Sequence, residues 1–356
     1  MAGAVPDLRE QRCSESAAAF ARGHTMDPRI ASLVPGFEVP FFQAGLAGYS
    51  DHAMRLTARR LGAPYCVTES MLDHTLLTSR RKRRAEHPDR VAGADRPIAG
   101  QIVGHDAGEM AAAAGIIVEM GFDVVDVNLA CPSKLAKRRP RGGNLLADPE
   151  TAIEILSAVR RAVPTKTPCT VKLRRAWDDT AEMALAFDRI FGAAYELGFA
   201  WATVHSRTVE QRYIGRGRWN ALADLVRRYP DRLIFGSGDV DTAEDIFSMM
   251  ELCGVQAVAV ARGAIANPWI FRQARELLAG CEKTGPSLAE QGGVLQEQFD
   301  QRAILLGERK ASILMRKQSI HIAESHPAGE DVRAAFVDAK TATEWRAVID
   351  RWYPRG

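Results

Sequence analysis

The sequence predicts an α/β protein built on a (β/α)8 TIM barrel, followed by a small C-terminal helical domain. Three observations predict it. Eight short β-rich runs alternate with amphipathic helical patterns over about 240 residues, the repeat of a barrel in which each strand is followed by a helix. Several of the runs, such as Ala257-Val258-Ala259-Val260, are almost continuously apolar, as strands buried on both faces of a parallel sheet are. No Gly-x-Gly-x-x-Gly follows the first strand, which counts against the competing open, doubly wound sheet in its dinucleotide-binding form.

The strand runs fall at 40–46, 64–69, 97–104, 124–130, 168–174, 201–206, 232–238 and 257–263, with helical patterns between them at 107–120, 149–163, 180–197, 221–229 and 242–252. Helix starts are marked chemically. Asp148-Pro149-Glu150 supplies an N-cap, a first-turn proline and a first-turn acid, and Asp241-Thr242-Ala243-Glu244 opens another helix with a capping pattern. Strand signals stop after Trp269-Ile270-Phe271, and the remainder reads as helical throughout, beyond a Gly-, Pro- and Ser-containing junction. The expected organisation is a flexible N-terminal extension over 1–30, a barrel over 31–285 and a helical domain over 290–356.

The chain has 356 residues, 46% of them hydrophobic, enough for one large core and a smaller one. A net charge of +3 says little about partners. Its distribution says more: Arg80 to Arg84 is an unbroken basic run, and Lys134 to Arg141 is a second basic segment. Brought together, they would form a phosphate-binding surface. The six cysteines are scattered without Cys-x-x-Cys or Cys/His ligand spacing, so neither a metal centre nor a disulfide framework is expected. Reduced thiols point to the cytoplasm. No apolar run approaches the ~18 residues of a membrane span, and residues 1–25 lack the hydrophobic core of a signal peptide.

In a barrel of this kind, functional residues gather at the carboxyl ends of the strands. Those ends carry Gly45, Glu69, Gln101, Asn128, Cys131, Lys172, Arg174, His205, Arg207, Gly236, Gly238, Asp239, Arg262 and Gly263. The set is rich in hydrogen-bonding groups and contains one nucleophile-type side chain. Cys131 follows an apolar strand that stops at Asn128-Leu129-Ala130-Cys131-Pro132 and leads into the basic segment containing Lys134; nearby cations favour a thiolate. Lys172 lies in an apolar strand, where an unpaired charge is costly and a ligand or counter-charge is called for. His205 also ends an apolar strand, and the Gln101 amide matches the edge of a heterocycle. Gly236-Ser237-Gly238-Asp239 and Ala261-Arg262-Gly263 close the last two strands, where such barrels frequently hold a phosphate. A phosphorylated planar cofactor across the barrel mouth is the expectation.

With these segments in place, the chain resembles the flavin-dependent tRNA-dihydrouridine synthases of the bacterial type. The resemblance runs through Ala44-Gly45-Leu46-Ala47-Gly48-Tyr49-Ser50-Asp51, Asp126 to Pro132, Gly142-Gly143-Asn144-Leu145-Leu146, Val171-Lys172-Leu173-Arg174, His205-Ser206-Arg207-Thr208, Gln211, Tyr213, Gly215 and the two glycine-bearing strand ends. It implies FMN as cofactor, NADPH as reductant, tRNA as partner, hydride transfer to C6 of a uracil ring and a proton from Cys131 to C5. Residues matching Gln101, Lys172 and His205 hold the flavin ring, and those matching Gly238, Asp239, Arg262 and Gly263 surround its phosphate. Ala44, Gly45, Leu46, Ser237 and Ala261 belong to the same cofactor-binding segments. Asn128, Lys134, Arg174 and Arg207 are expected on the substrate side, Asn128 matching a residue that positions substrate or flavin. The chain departs from the family pattern: Ala44-Gly45-Leu46 stands for Ala-Pro-Met, and Gly236-Ser237-Gly238-Asp239 for Gly-Asn-Gly-Asp. Other readings remain open here: a flavin oxidoreductase acting on a free pyrimidine or another small unsaturated substrate, a dihydrouridine synthase of a different RNA, or a non-catalytic RNA-binding relative. Intact Cys131, Lys172 and His205 count against the last. A monomer is the default.

Overall fold

The structure is a computed structural model that describes residues 23–78, 93–132 and 140–354. The basic run Arg80–Arg84, Lys134 with most of its basic segment, and residues 1–22 of the expected extension lie outside the described residues. Helix α1 (Pro28–Leu33) leads into β1 (Phe41–Gln43), α2 (His52–Arg60), β2 (Cys66–Val67), β3 (Met71–Leu72), α3 (Asp73–Thr78), β4 (Ile98–Val103) and α4 (Ala107–Glu119). There follow β5 (Val124–Leu129), α5 (Pro149–Ala162), β6 (Cys169–Arg174), α6 (Ala181–Glu196), β7 (Trp201–His205), α7 (Trp219–Arg228), β8 (Ile234–Ser237), α8 (Ala243–Cys253) and β9 (Ala257–Val260). Short α9 (Gly263–Ala266) and α10 (Ile270–Leu278) precede α11 (Leu288–Leu306), α12 (Glu308–Ile322), α13 (Gly329–Asp338) and α14 (Ala342–Trp352).

All strand pairs are parallel, in the order β2-β1-β9-β8-β7-β6-β5-β4, and β2 pairs with β4 to close the barrel. Each of the eight expected strands is present. The ninth, two-residue β3 against the upper half of β4, is too short to show a period in the sequence. The predicted helix starts hold: Asp148 caps α5 through the Thr151 amide, and Thr242 opens α8 with a reciprocal capping box.

Strand alternation sends every second residue inward. Phe42, Tyr65, Val124, Trp201, Phe235 and Ala257 form an interior cluster, with Ile30, Val34 and Phe37 closing the N-terminal end of the barrel. Phe37 stacks on Tyr65 at 4.7 Å and meets Trp201 and Phe235 edge-on. The residue-30 boundary expected from sequence therefore falls within α1, whose Ile30 is fully buried. The opposite parity, including Val125, Val127, Val171, Leu173, Val204 and Val258, packs against the surrounding helices. An apolar, aromatic floor thus leaves the C-terminal end as the polar mouth.

Helices α11 to α14 gather round a second core that contains Leu295, Phe299, Met315, Phe336 and Trp345, joined by Leu61 and Trp269 from the barrel. A charged clamp ties the two. Asp51 accepts from Arg302 Nε at 2.6 Å and from Nη2 at 2.9 Å while also capping α2 through the Met54 amide. Arg302 is 3% exposed at its side chain and Asp51 27%. That asymmetry sets the expected outcome of mutation. Asp51→Ala strands a buried guanidinium and removes a cap, which should cost about 3–5 kcal/mol in urea unfolding. Arg302→Leu leaves a carboxylate that reaches solvent and should cost clearly less; an equal or reversed cost contradicts the clamp.

Candidate active site

The register of the parallel ladders sets the polar mouth. It puts Gln101 beside Asp126, Asp126 beside Thr170, Asn128 beside Lys172, Arg174 beside His205, and His205 beside Ser237. A small internal cavity lies beneath this level, lined among others by Ala44, Gly45, Gln101, Asp126, Thr170 and Lys172.

Asp126 is the buried base of a hydrogen-bond relay. Thr170 Oγ1 donates to its Oδ1 at 2.7 Å and Gln101 Nε2 to its Oδ2 at 2.7 Å. Burial holds the Asp126 carboxyl above its usual range, opposed by the Thr170 and Gln101 hydrogen bonds and by the Lys172 charge. Because Asp126 takes an N–H of Gln101, the Gln101 carbonyl faces the other way. There it accepts from Asn128 Nδ2 at 2.8 Å and from the Ser70 hydroxyl. Asn128 Nδ2 also donates to Ser70 Oγ at 2.6 Å. The Asn128 carbonyl in turn is free to accept from the backbone amides of Ala130 at 2.9 Å and Cys131 at 3.0 Å. This Asx turn bends the chain as it leaves β5. On its other side the Cys131 carbonyl accepts from the Gly143 amide at 3.0 Å. A Cβ on Gly143 would lie 3.0 Å from Val209 and 3.1 Å from that same carbonyl oxygen, so the segment can approach Cys131 so closely only without a side chain. The thiol is partly exposed and free.

Lys172 makes no hydrogen bond or ion pair with a described residue. Burial, then the Arg174 guanidinium, pulls its ammonium down to about 8, against the opposite pull of Asp126 and Cys131. His205 is held well below its usual range by burial and by the cations of Lys172, Arg174, Arg207 and Arg262. Its Nδ1 accepts from the Arg207 amide at 3.1 Å, which leaves the proton of the neutral ring on Nε2.

Other expected residues take a framing role. Arg174, 2% exposed, spends its donors on the carbonyls of Ala130 at 2.9 Å, Thr208 at 2.8 Å and Arg212 at 2.7 Å. It therefore laces the loops after β5 and β7 together. Arg207 binds the Gly215 carbonyl and pairs with Asp239 at 2.6 Å. Asp239 also accepts from the Gly217 amide at 2.7 Å and faces Arg262 at 3.5 Å. Ser237, Gly238, Asp239, Ala261 and Arg262 line one shallow pocket with His205. Gly238 has φ +109°, and a Cβ there would lie 2.6 Å from Ser206 Oγ. A Cβ on Gly263 would lie 2.5 Å from the Val240 carbonyl, and one on Gly45 2.2 Å from that of Thr68. Arg262 is half-exposed, and its guanidinium and that of Arg174 lie 5.3 and 5.4 Å from the centre of the Tyr213 ring. Leu46 is partly buried against the main core. Sequence reasoning passed over Ser70, Asp126 and Thr170. An acid in the middle of the otherwise apolar β5 was the available signal for Asp126; Ser70 had none.

The donors at the mouth fit a flavin mononucleotide. Lys172 has no ion-pair partner among the described residues, His205 presents a neutral N–H, Gln101 keeps its second N–H, and glycine-lined strand ends beside a half-exposed arginine suit a phosphate. A larger surface cleft lies at the other end of the barrel. Its arginines are already engaged, Arg59 by the Pro64 and Arg96 carbonyls, Arg96 by Asp123, and Arg275 by Glu38.

The charge state of Lys172 has a measurable consequence in the ligand-free protein. Between about pH 8 and about 10.4 the unfolded chain holds a proton that folded Lys172 lacks, so stability contributed at this site rises with pH across that window. Lys172→Met should therefore be more stable than the parent at pH 7, with the advantage shrinking from pH 8 to 10 in urea titrations. A variant less stable at pH 7, or an advantage independent of pH, contradicts the unpaired lysine.

Comparison with known proteins shows the family of the chain. A family model described as Dihydrouridine synthase (Dus) matches residues 42–352. A tRNA-dihydrouridine synthase B of Xanthomonas campestris pv. campestris is 32% identical over 301 residues, 84% of this chain and 88% of that protein. The protein of the same description from Pseudomonas aeruginosa is 31% identical over 296 residues, 82% and 86% of the two chains. A probable tRNA-dihydrouridine synthase of Treponema pallidum is 32% identical over 320 residues, 86% and 91%. Among solved structures, a 2-naphthoyl-CoA reductase complex superposes with a TM-score of 0.54 at 12% identity, covering 69% of this chain and 50% of that one, a likeness of fold. Since the family match runs from β1 through α14, the chain belongs to the dihydrouridine synthase family.

Proposed function

We propose that this protein is a tRNA-dihydrouridine synthase that reduces the C5–C6 bond of a uracil ring, with FMN at the barrel mouth, NADPH as reductant and Cys131 as proton donor to C5. The observation that carries the reading is the pinned thiol. Asn128 takes the Cys131 amide, Gly143 gives to its carbonyl, and the unpaired Lys172 is close enough for the Cys131 charge to act on it. Lys172, His205, Gln101, Gly238 and Arg262 would hold FMN, which when bound supplies the hydride taken up at C6. Cys131 Sγ–H gives its proton to C5, leaving its charge within reach of the Lys172 and Arg174 cations. The turn at 128–131 fixes the backbone that carries the donor, which limits the reorganisation needed to bring the thiol to C5.

A uracil inside RNA must leave its stack to reach this mouth. Tyr213, 57% exposed at the mouth beside the Arg174 and Arg262 guanidiniums, offers an aromatic surface on which a base can stack. The helical region supports tRNA binding. Arg309, Lys310 and Arg316 on α12 and Arg333 on α13 have no ion-pair partner among the described residues, and backbone phosphates suit them. α12 reaches the mouth: Lys317 Nζ lies 3.6 Å from the centre of the Tyr49 ring and donates to the Gly48 carbonyl at 3.3 Å. Among the described residues no helix is long and apolar enough to cross a membrane; the free cysteines fit a cytoplasmic enzyme.

Cys131→Ala should bind FMN as the parent does, judged by the flavin absorbance of the purified protein, yet form dihydrouridine in tRNA at least about a hundredfold more slowly. An unchanged rate removes the donor role of Cys131. A parent protein that binds no FMN on reconstitution contradicts the whole reading.

A further inference from the structure

We propose that Asp73, His105 and Glu109 bind one first-row divalent metal ion at the carboxyl end of β4, outside the reaction centre. One ligand atom from each of the three lies within 4.8 Å of the others. Asp73 is 3% exposed. Its Oδ1 accepts from the His74 amide at 2.7 Å, whereas its Oδ2 is buried without a hydrogen-bond partner. That oxygen is aimed at the end of β4: a Cβ on Gly104, the residue before His105, would lie 1.9 Å from it. Glu109, in the first turn of α4, stands four residues after His105.

A buried carboxylate oxygen with no donor is costly, and a second carboxylate beside it adds repulsion. A divalent cation removes both penalties. One imidazole nitrogen with two carboxylate oxygens favours Mn²⁺, Fe²⁺, Co²⁺ or Zn²⁺ over Mg²⁺ and Ca²⁺, which take all-oxygen shells. Asp73 comes from a separate segment, so the three-ligand set has no continuous spacing in the sequence; the site runs against the metal-free expectation drawn from the cysteines. The ion has a structural consequence for the mouth. Asp73 follows Ser70 by three residues, and Ser70 meets both Gln101 and Asn128. A metal there staples the β3–α3 turn to the β4–α4 turn and holds Ser70 in the relay. The proposal stands whether or not the protein acts on tRNA.

The test is titration of the chelator-treated, full-length protein with Mn²⁺, counting bound ion by loss of the free Mn²⁺ electron paramagnetic resonance signal. One ion per chain is expected, displaced by Zn²⁺ and accompanied by a rise in melting temperature. Asp73→Asn and Glu109→Gln should each weaken binding about tenfold or more. Glu109→Gln is partly exposed and near-isosteric, so it reports even where the buried Asp73 variant folds poorly. No bound Mn²⁺ in the parent, or equal binding in Glu109→Gln, overturns the site.

Discussion

The active end of this barrel depends on one buried carboxylate. Asp126 has both oxygens engaged, by Thr170 and Gln101, and that assignment propagates. It decides which way the Gln101 amide points, which decides the orientation of Asn128, which decides whether the amide of Cys131 has an acceptor. Each link is a single hydrogen bond of the order of 1 kcal/mol net. Leaving any of these buried groups unpaired costs more than making the bond returns, so the four side chains hold one arrangement. A polar network of this kind is tolerated because every member is satisfied and because it sits directly above an apolar floor that supplies the stability.

Physical division of labour runs along the barrel axis. The floor is aromatic, with Phe37, Tyr65, Trp201 and Phe235 in mutual contact. The mouth concentrates positive charge: Lys172, Arg174, Arg207 and Arg262 all depress His205. Arg174 and Arg207 are consumed in tying loops together, and Arg262 faces Asp239, which leaves Lys172 without an ion-pair partner among the described residues. Such an unpaired cation in the mouth opposes folding and serves ligand binding, the exchange of stability for function expected at an active site. The helical region adds a second surface, locked to α2 through Asp51 and Arg302 and to the β1 loop through Lys317 and Tyr49.

Much of this was legible in the sequence, for physical reasons. Parallel strands buried on both faces are apolar throughout, so all eight stand out in the sequence, and the C-terminal-end rule then points to Gln101, Asn128, Cys131, Lys172 and His205. What a side chain does with its donors was not legible. Arg174 and Arg207 are at the mouth, as expected of substrate-binding groups, but their guanidiniums are largely spent on backbone carbonyls and Asp239. Sequence cannot show that, because the carbonyls they bind come from loops whose paths only the tertiary structure sets. Ser70 and the Asp73–His105–Glu109 cluster stayed hidden for the same reason: Ser70 and Asp73 meet their partners only across a βα unit, far apart in the sequence. Lys134 lies outside the described residues, and its expected role is unchanged.

The most direct test of the relay is the rate of dihydrouridine formation by Asp126→Leu at saturating tRNA. The substitution keeps roughly the same size but removes both acceptors, so Gln101 Nε2 loses the partner that fixes the orientation of its amide, and the Gln101 carbonyl is no longer held toward Asn128. The account predicts a fall of about a hundredfold, as for a donor displaced by roughly an ångström, with flavin still bound. A rate equal to that of the parent protein would contradict it.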